Sequence, residues 1–188
     1  MKRLTFLLIT VASLISVIAL RVPASGQTDA QAAPIYGVKI PAGYRDWQLI
    51  SVARVGGPIN DLRVKLGNEI AIKASREEKP FPDGAIIARI AYRAVTSEEN
   101  NRVFRGAAER QGLPPEQVTK LLAESVVAGP TMNVQFMVKD SKKYASTGGW
   151  GFAQFTDGKP DGEAVHNTCF ACHAPAKDHD FVFTRYSR

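Results

Sequence analysis

The chain of 188 residues is 45% hydrophobic and 22% charged, which is ordinary for a globular protein and sufficient for one domain with a sizeable core. Its formal net charge is +6, but three basic residues, Lys2, Arg3 and Arg21, lie in an N-terminal segment with the features of an export signal. Without them 21 basic and 18 acidic residues remain, a balance of +3 that is too weak to indicate nucleic-acid binding.

The N-terminal segment has the three parts of a secretory signal peptide. Two basic residues precede an apolar run over residues 4–20, and small residues follow it. An uncleaved membrane anchor is the alternative, because the run is nearly long enough to span a bilayer. We interpret residues 1–26 as a signal peptide that is cut after Gly26 or Ala32. This predicts a periplasmic protein that has no membrane association once the signal is removed.

The remainder predicts a flexible lead-in over residues 27–40 and a single domain over residues 41–188. In its first half, alternating and β-branched residues predict strands at 47–55, 61–66 and 85–95. Residues 67–79 predict a short helix capped by Asn68, although alternation over 69–73 leaves a strand as the alternative.

The second half begins with two predicted helices, at 96–112 with Ser97 as its cap and at 113–129 with Gly129 at its end. The elements predicted after them are a strand at 131–140, a helical turn in 141–147, a strand at 150–156, a loop at 157–163, a short helix that runs into residue 173, and a strand or extended segment at 180–186. The predicted fold class is α+β, with a mostly antiparallel sheet of about five strands and several short helices.

The motif "CFACH" contains both cysteines of the chain, Cys169 and Cys172, followed directly by His173. C-x-x-C-H is the attachment pattern of c-type haem. On one helical turn, two cysteines three residues apart can form thioethers with the two vinyl groups of one porphyrin, and the adjacent histidine can bind the iron. The motif therefore predicts one covalent haem c, with His173 as the metal ligand.

Three other interpretations of the motif remain open at this point. A thioredoxin-like redox pair lies at the start of a helix after a strand, whereas here a polar helix leads in. A zinc site needs further ligands, for which His166 and His179 are the candidates. A structural disulfide in an oxidising compartment is the third possibility, but it gives no role to His173.

A second axial ligand for the iron is not obvious. Only fifteen residues follow the motif and none is methionine. His166 and His179 are too close to His173 to reach the opposite side of a haem easily. Met132 and Met137 are five residues apart, so on a regular strand they point to opposite faces, and a core role is the usual one for methionine. We therefore expect a five-coordinate iron with an open distal site.

Four stretches carry a resemblance to a known family: "YRDWQLISVARV", "FPDGAIIARI", "VKDSKKYASTGGWGFAQF" and "CFACHAPAKDHDFVFTRY". In this order they resemble the cytochrome P-460 and cytochrome c′-beta family, c-type haem proteins built on an antiparallel sheet. The resemblance implies a mostly apolar distal pocket formed by the sheet and, since relatives are often dimers, a possible homodimer. Residues 96–129 look like an insertion relative to the compact members.

The enzymatic branch of that family oxidises hydroxylamine and carries a lysine attached to the haem edge, together with a distal carboxylate. By the resemblance, the place of the lysine is held by Arg89 and the place of the carboxylate by Gln135. Arginine is a poor nucleophile, and glutamine cannot act as a general base. Arg89 and Gln135 are thus the candidate distal residues, without a certain catalytic role. Four aromatics, Phe136, Trp150, Phe152 and Phe155, are predicted core residues, some of which line the haem.

The predicted function is a periplasmic mono-haem c-type cytochrome that binds a small diatomic ligand such as nitric oxide, or passes electrons to a partner protein. The alternative is an oxidoreductase that acts on hydroxylamine or nitric oxide at the open haem. That alternative gains if another lysine, such as Lys73 or Lys79, attaches to the haem.

Overall fold

The computed structural model describes residues 31–187. The predicted signal peptide over 1–26 lies outside them. The elements, in chain order, are β1 (Gln48–Val55), β2 (Asp61–Gly67), α1 (Glu69–Glu77), β3 (Ile86–Val95), α2 (Glu98–Arg110), α3 (Pro115–Glu124), β4 (Val127–Lys139), β5 (Trp150–Thr156), β6 (Lys159–Pro160) and α4 (Glu163–His173). Short 3-10 helices occur at Tyr44–Asp46, Ala145–Thr147 and Ala174–His179. Within the described part of the chain, none of the helices combines the length and the apolar character needed to cross a bilayer.

The strands form one antiparallel sheet in the order β1-β2-β3-β4-β5-β6, so each strand pairs with the next in the sequence. This confirms the α+β class. The sixth strand was not expected, because residues 157–163 were predicted as a loop. Asp157 and Gly158 both have positive φ, 50° and 76°, and form the two-residue turn from β5 to β6. Asp-Gly is a strong signal for such a turn, since it tolerates positive φ at both positions.

The helix predicted after Asn68 is confirmed, and the alternative strand over 69–73 is wrong. The Asn68 side chain accepts a hydrogen bond from the Ala71 amide at 2.9 Å, which caps α1. Ser97 caps α2 in the same way through the Asn100 amide at 3.2 Å.

The boundary between α3 and β4 was predicted too late. α3 ends at Glu124 and β4 starts at Val127, although the sequence predicted helix up to Gly129. Val127 pairs with Val95 at the end of β3. Pairing with β3 therefore places these residues in a strand, although their local sequence does not distinguish a helix from a strand. The last segment, 180–186, forms no strand. Val182 packs in the core of the second sheet face, and the amide of Ser187 donates to the Ile50 carbonyl oxygen.

One face of the sheet is covered by the N-terminal segment. Its core contains Ile90, Phe136 and Phe155 together with Ala33 and Val38. The predicted flexible lead-in is therefore wrong from Ala33 onward: that alanine is buried, and its amide donates to the Val38 carbonyl oxygen at 2.8 Å. The physical reason is that Ala33 and Val38 shield apolar sheet residues from water.

The other face of the sheet is covered by α1, α4 and the C-terminal segment. Its core contains Ile87, Met137, Trp150, Phe152 and Val182. The haem motif at the end of α4 therefore lies over this second face. Residues 96–126 form the α2–α3 hairpin between β3 and β4, with a small core of its own made by Ala108, Val118 and Leu122. The last three residues of the predicted insertion, 127–129, belong to β4.

Candidate functional site

A cavity of about 550 Å³ lies between the second face of the sheet and the end of α4. Ligand sites of proteins fall in this size range. The residues that line it are Ile59, Asp61, Arg63, Lys65, Ile87, Arg89, Met132, Asn133, Gln135, Phe136, Met137, Phe152, Ala153, Gln154, Val165, Thr168, Cys169, Cys172, His173, Val182, Phe183 and Thr184. The five residues predicted as cofactor or distal residues are all among them.

Helix α4 brings the three residues of the motif to the cavity. Cys169 and Cys172 are three residues apart on the helix and therefore lie on one side of it, and His173 is its last residue. Both thiols are free in the structure. Gly162 precedes the first turn of the helix.

The surroundings of the thiols do not favour a redox pair. Burial raises the pKa of Cys169, and Cys172 adds to the increase. The pair also lies near the C-terminal end of α4, where the helix dipole disfavours a thiolate. Reactive redox thiols need the opposite, a lowered pKa at a helix N-terminus. No group of three His, Cys, Asp or Glu side chains suitable for a metal occurs within residues 31–187, which weakens the zinc interpretation.

The imidazole of His173 is held in one orientation. Its Nδ1 donates to the carbonyl oxygen of Phe181 at 2.7 Å, and its ring lies between Phe152 and Phe183, each with a centroid distance of 5.0 Å. A carbonyl oxygen only accepts, so Nδ1 carries the proton and the lone pair is on Nε2. Burial lowers the pKa of His173, with Arg89 acting in the same direction. The side chain therefore presents a neutral, oriented Nε2, which is what a metal-binding histidine requires.

The loop that supplies the Phe181 carbonyl is fixed by Asp180. Both residues have positive φ, 51° and 63°, which is uncommon for residues other than glycine. The Asp180 carboxylate accepts from Lys139 Nζ at 2.6 Å and from the Phe81 amide at 2.8 Å. Its carbonyl oxygen accepts from Trp150 Nε1 at 2.9 Å. These contacts maintain a backbone conformation that would otherwise be disfavoured.

The other two histidines have separate environments. His166 is fully buried; its Nδ1 faces the Gly162 carbonyl oxygen at 3.0 Å, and its Nε2 accepts from the Gln154 amide at 3.1 Å. The Nε2 bond connects α4 to β5, whereas the Nδ1 contact stays within the N-terminal turn of α4. His179 is exposed and contacts Arg185. Neither lines the cavity.

Met132 and Met137 both line the cavity, so the expectation that they point to opposite faces is wrong. The reason is a bulge in β4. Ala91 pairs with Asn133 and Tyr92 with Thr131, so Met132 is an extra residue that shifts the alternation by one. Met137 packs with the apolar residues of the second core, whereas Met132 is half-buried near the rim of the sheet.

A row of polar side chains crosses the floor of the cavity. Lys65 pairs with Arg89, Arg89 with Gln135, and Gln135 with Gln154, on four successive strands. The Gln135 amide donates to the Gln154 side chain, which in turn donates to Asp161 at 2.5 Å. The neighbouring row is apolar: Ile87, Met137 and Phe152. The two rows divide the floor into a polar strip and an apolar strip.

Lys65 is the residue of this site that sequence reasoning missed. It is only 8% exposed and lies across from Arg89. Lys73 and Lys79, the lysines considered from the sequence, are exposed and do not line the cavity. The sequence pattern that could have revealed Lys65 is the alternation of Asp61, Arg63 and Lys65 in β2, which puts three charged side chains on one face of the strand. Only the position of α4 shows that this face is covered.

The predicted aromatics divide between the two faces. Phe152 contacts His173, and Trp150 packs in the same core. The side chains of Phe136 and Phe155 pack against each other in the opposite core, with a centroid distance of 5.9 Å.

Comparison with known proteins shows the family of the chain. A family model described as Cytochrome P460 matches residues 41–184, which is most of the chain. No curated protein matches the chain. The matched region includes the sheet, the cavity and the C-x-x-C-H motif. The chain belongs to the cytochrome P460 family, which implies a haem cofactor and a c-type haem protein.

Proposed function

We propose that the protein is a periplasmic mono-haem c-type cytochrome whose iron has an open position for a small diatomic ligand, with nitric oxide as the first candidate. The observation that carries the proposal is the His173 side chain: Nδ1 is fixed by Phe181, and Nε2 is left for a metal in a cavity that also contains Cys169 and Cys172. Cys169 and Cys172 would hold the haem as thioethers, and His173 would be the proximal ligand.

The residues around the cavity fit a large planar apolar group. Phe183 is 61% exposed and Val165 is 37% exposed, and both line the cavity. Accessible apolar side chains beside a cavity support the binding of an apolar ligand there. The apolar strip of Ile87, Met137 and Phe152 supplies the matching surface on the sheet.

When bound, the haem supplies an iron that can take a diatomic ligand or change its oxidation state. The apolar strip would exclude water from the site and so influence both properties. The side chains of Gln135 and Arg89 offer hydrogen-bond donors on the polar strip. Neither group is suited to take a proton from a substrate at neutral pH, which favours binding or electron transfer over turnover.

The decisive experiment is to produce the full chain with the haem-attachment machinery and to extract the purified protein with acidified acetone. We expect the haem to stay with the protein and the ferric spectrum to be high-spin. A Cys169→Ser, Cys172→Ser variant serves as the control and should lose the haem. A colourless protein with two titratable thiols would contradict the proposal. A low-spin resting spectrum would contradict the open position.

One observation favours the second candidate function, an oxidoreductase that acts on hydroxylamine or nitric oxide. Lys65 is a lysine inside the cavity, and burial lowers its pKa, which makes the amine a better nucleophile. A bond from Lys65 Nζ to an edge carbon of the haem would resemble the enzymatic branch of the family. It would replace one N–H and one C–H bond and would need a two-electron oxidant such as hydrogen peroxide, which would leave as two water molecules. Peptide mapping of the haem-bearing protein separates the two functions: a Lys65–haem peptide and a red-shifted spectrum support the enzyme, and an unmodified Lys65 supports the binding protein.

The location and the partners are part of the same proposal. Fractionation of cells that express the tagged chain should recover it in the periplasm, with the signal peptide removed. Sedimentation of the holoprotein should show whether it forms the homodimer that the family resemblance implies. A redox partner protein would be identified by its ability to reduce the ferric protein.

A further inference from the structure

Three cations on the cavity floor form a group that the proposed haem ligands do not use. We refer to Arg63, Lys65 and Arg89 as the cationic cluster. Arg63 and Lys65 are two residues apart on β2 and share a face, and Arg89 lies across from Lys65 on β3. Like charges directly opposite each other in an antiparallel pair are destabilising, so this arrangement needs a reason.

The cluster is not neutralised by its surroundings. Asp61 is the single carboxylate among the described residues that line the cavity, against three cations, which leaves an excess of two positive charges. Asp61 is already engaged: Arg63 Nε donates to both of its oxygens at 2.9 Å, and Arg89 Nη2 lies 3.5 Å from Oδ2. Burying charge without compensation costs several kcal/mol per ion.

Two members of the cluster, Lys65 and Arg89, have charged groups that could still bind a ligand. Lys65 is 92% buried, since only 8% of it is exposed, and it has no ion pair within residues 31–187. Arg89 Nε is buried and has no hydrogen-bond partner in the described part of the chain. Native structures rarely leave several polar groups in one place unsatisfied.

The chemistry of these groups defines what would satisfy them. A guanidinium and an ammonium that face one space match the oxygens of a small oxyanion, to which they form short, charge-assisted hydrogen bonds. A cavity of about 550 Å³ is too small for a macromolecule, and a neutral diatomic ligand would leave the charge excess unchanged.

We propose that the cationic cluster, with Lys65 at its centre, binds one small oxyanion of the carboxylate or nitrite type inside the cavity. The proposal rests on the proposed function for the identity of the cavity as a haem site. The oxyanion has two possible sources. One is a propionate carboxylate of the haem itself, and the other is a free inorganic oxyanion that enters beside the iron.

The free-anion source is tested by titrating the ferric holoprotein with nitrite and, separately, with the neutral ligand imidazole. For a free anion, we expect Lys65→Met to weaken nitrite binding by about tenfold or more and to leave imidazole affinity within about twofold, because only the anion uses the charge. Arg89→Gln should also weaken nitrite binding and leave the imidazole affinity nearly unchanged. Lys73→Met, an exposed lysine on α1, is the matched control and should bind both ligands as the wild type does.

The propionate source is tested by the pH dependence of the reduction potential in the same variants. A propionate in the cluster gives an inflexion that moves to higher pH in Lys65→Met, because the carboxylate loses a stabilising cation. If a propionate occupies the cluster, the nitrite affinity of Lys65→Met equals that of the wild type. If Lys65→Met changes neither the nitrite affinity nor the inflexion, the proposal is wrong.

Failure of the proposed function gives a different result. A chain that never takes up haem would be colourless, and its cluster would then be open to added anions. In that case thermal unfolding at constant ionic strength tests the cluster alone, since a bound anion stabilises the folded state by mass action. Nitrite should raise the Tm of the wild type and of Lys73→Met more than chloride does, and this difference should disappear in Lys65→Met. An equal effect of both salts on all three proteins would overturn the proposal.

Discussion

His173 and Phe181 are joined by a hydrogen bond from the imidazole Nδ1 to the backbone carbonyl oxygen, with a length of 2.7 Å. The bond connects the last residue of α4 to a loop residue with positive φ. It determines the tautomer and the direction of the candidate iron ligand. Lys139 holds the neighbouring Asp180, and the ring of Phe181 packs against Gly148, so residues that are remote from the motif in sequence should influence the ligand.

Gly148 allows the ring of Phe181 to pack against the backbone. Its φ is +67°, and a Cβ at this position would overlap the Phe181 ring. We expect Gly148→Ala to lower the free energy of unfolding by about 3 kcal/mol, since it adds backbone strain and a steric clash. It should also change the ferric spectrum, because the acceptor for His173 moves. Urea denaturation and absorption spectra measure the two effects.

Gly158→Ala is the matched control for that change. Gly158 also has a positive φ, +76°, but a Cβ there meets nothing within 4 Å. It should cost only about 1 kcal/mol, from backbone strain alone, and leave the spectrum as it is. Equal losses of stability in the two variants would show that the Phe181 contact has no role.

The ion pair between Lys139 and Asp180 should be worth more than a surface pair. Its side chains are 11% and 15% exposed. Asp180→Asn keeps the positive φ acceptable but leaves the Lys139 charge buried without its partner, so we expect a loss of about 3 kcal/mol in the free energy of unfolding. Glu77→Gln, in the exposed pair with Lys79, should leave the denaturation midpoint unchanged. A similarly small effect of Asp180→Asn would contradict the positioning role of this pair.

The two methionines of β4 provide the test for the sixth ligand position. If the position is open, Met132→Leu and Met137→Leu both keep the high-spin ferric spectrum. Met137→Leu should cost less than about 1.5 kcal/mol of stability, because leucine has nearly the same volume in that core. A resting wild-type spectrum that is low-spin and becomes high-spin in one of the two variants would identify that methionine as an axial ligand.

Lys65 should give the protein a distinctive alkaline pH dependence in the Cys169→Ser, Cys172→Ser background, which cannot attach haem. Burial and the neighbouring Arg63 lower the pKa of Lys65 below its ordinary value of 10.5. Between the lowered pKa and 10.5 the unfolded chain binds more protons than the folded chain, so the free energy of unfolding rises with pH across that window. Lys65→Met should flatten the rise, and Lys73→Met should keep it. Urea denaturation over an alkaline pH series measures the slopes, and equal slopes in all three proteins would contradict this prediction.

The α2–α3 hairpin should be dispensable for the haem site. Val95 and Val127 are paired neighbours in the sheet, so the 31 residues between them leave and re-enter the ladder at one place. Replacing residues 96–126 by Asn-Gly, which forms a tight two-residue turn, should preserve the fold and the spectrum of the holoprotein. Loss of haem in this variant would show that the hairpin contributes to the site.

The helix caps and the motif could be predicted from the sequence because each depends on residues that are close together in the chain. Asn68 and Ser97 cap the helices that follow them, and the spacing of Cys169 and Cys172 is a property of one helical turn. The misplaced boundary at residues 125–129 had a different origin. Pairing with β3 determines that β4 begins at Val127, and sheet pairing depends on residues distant in the sequence.

The sequence by itself determined the α+β class, the cysteines and the histidine of the haem motif, and the two candidate positions Arg89 and Gln135. Tertiary structure alone decided which faces are covered. The bulge at Met132 reverses the alternation of side chains, and the docking of α4 encloses Lys65, which the sequence presents as an ordinary charged strand residue. The physical reason is that burial and pairing arise between segments far apart in the chain, whereas caps, turns and motif spacing arise within one segment.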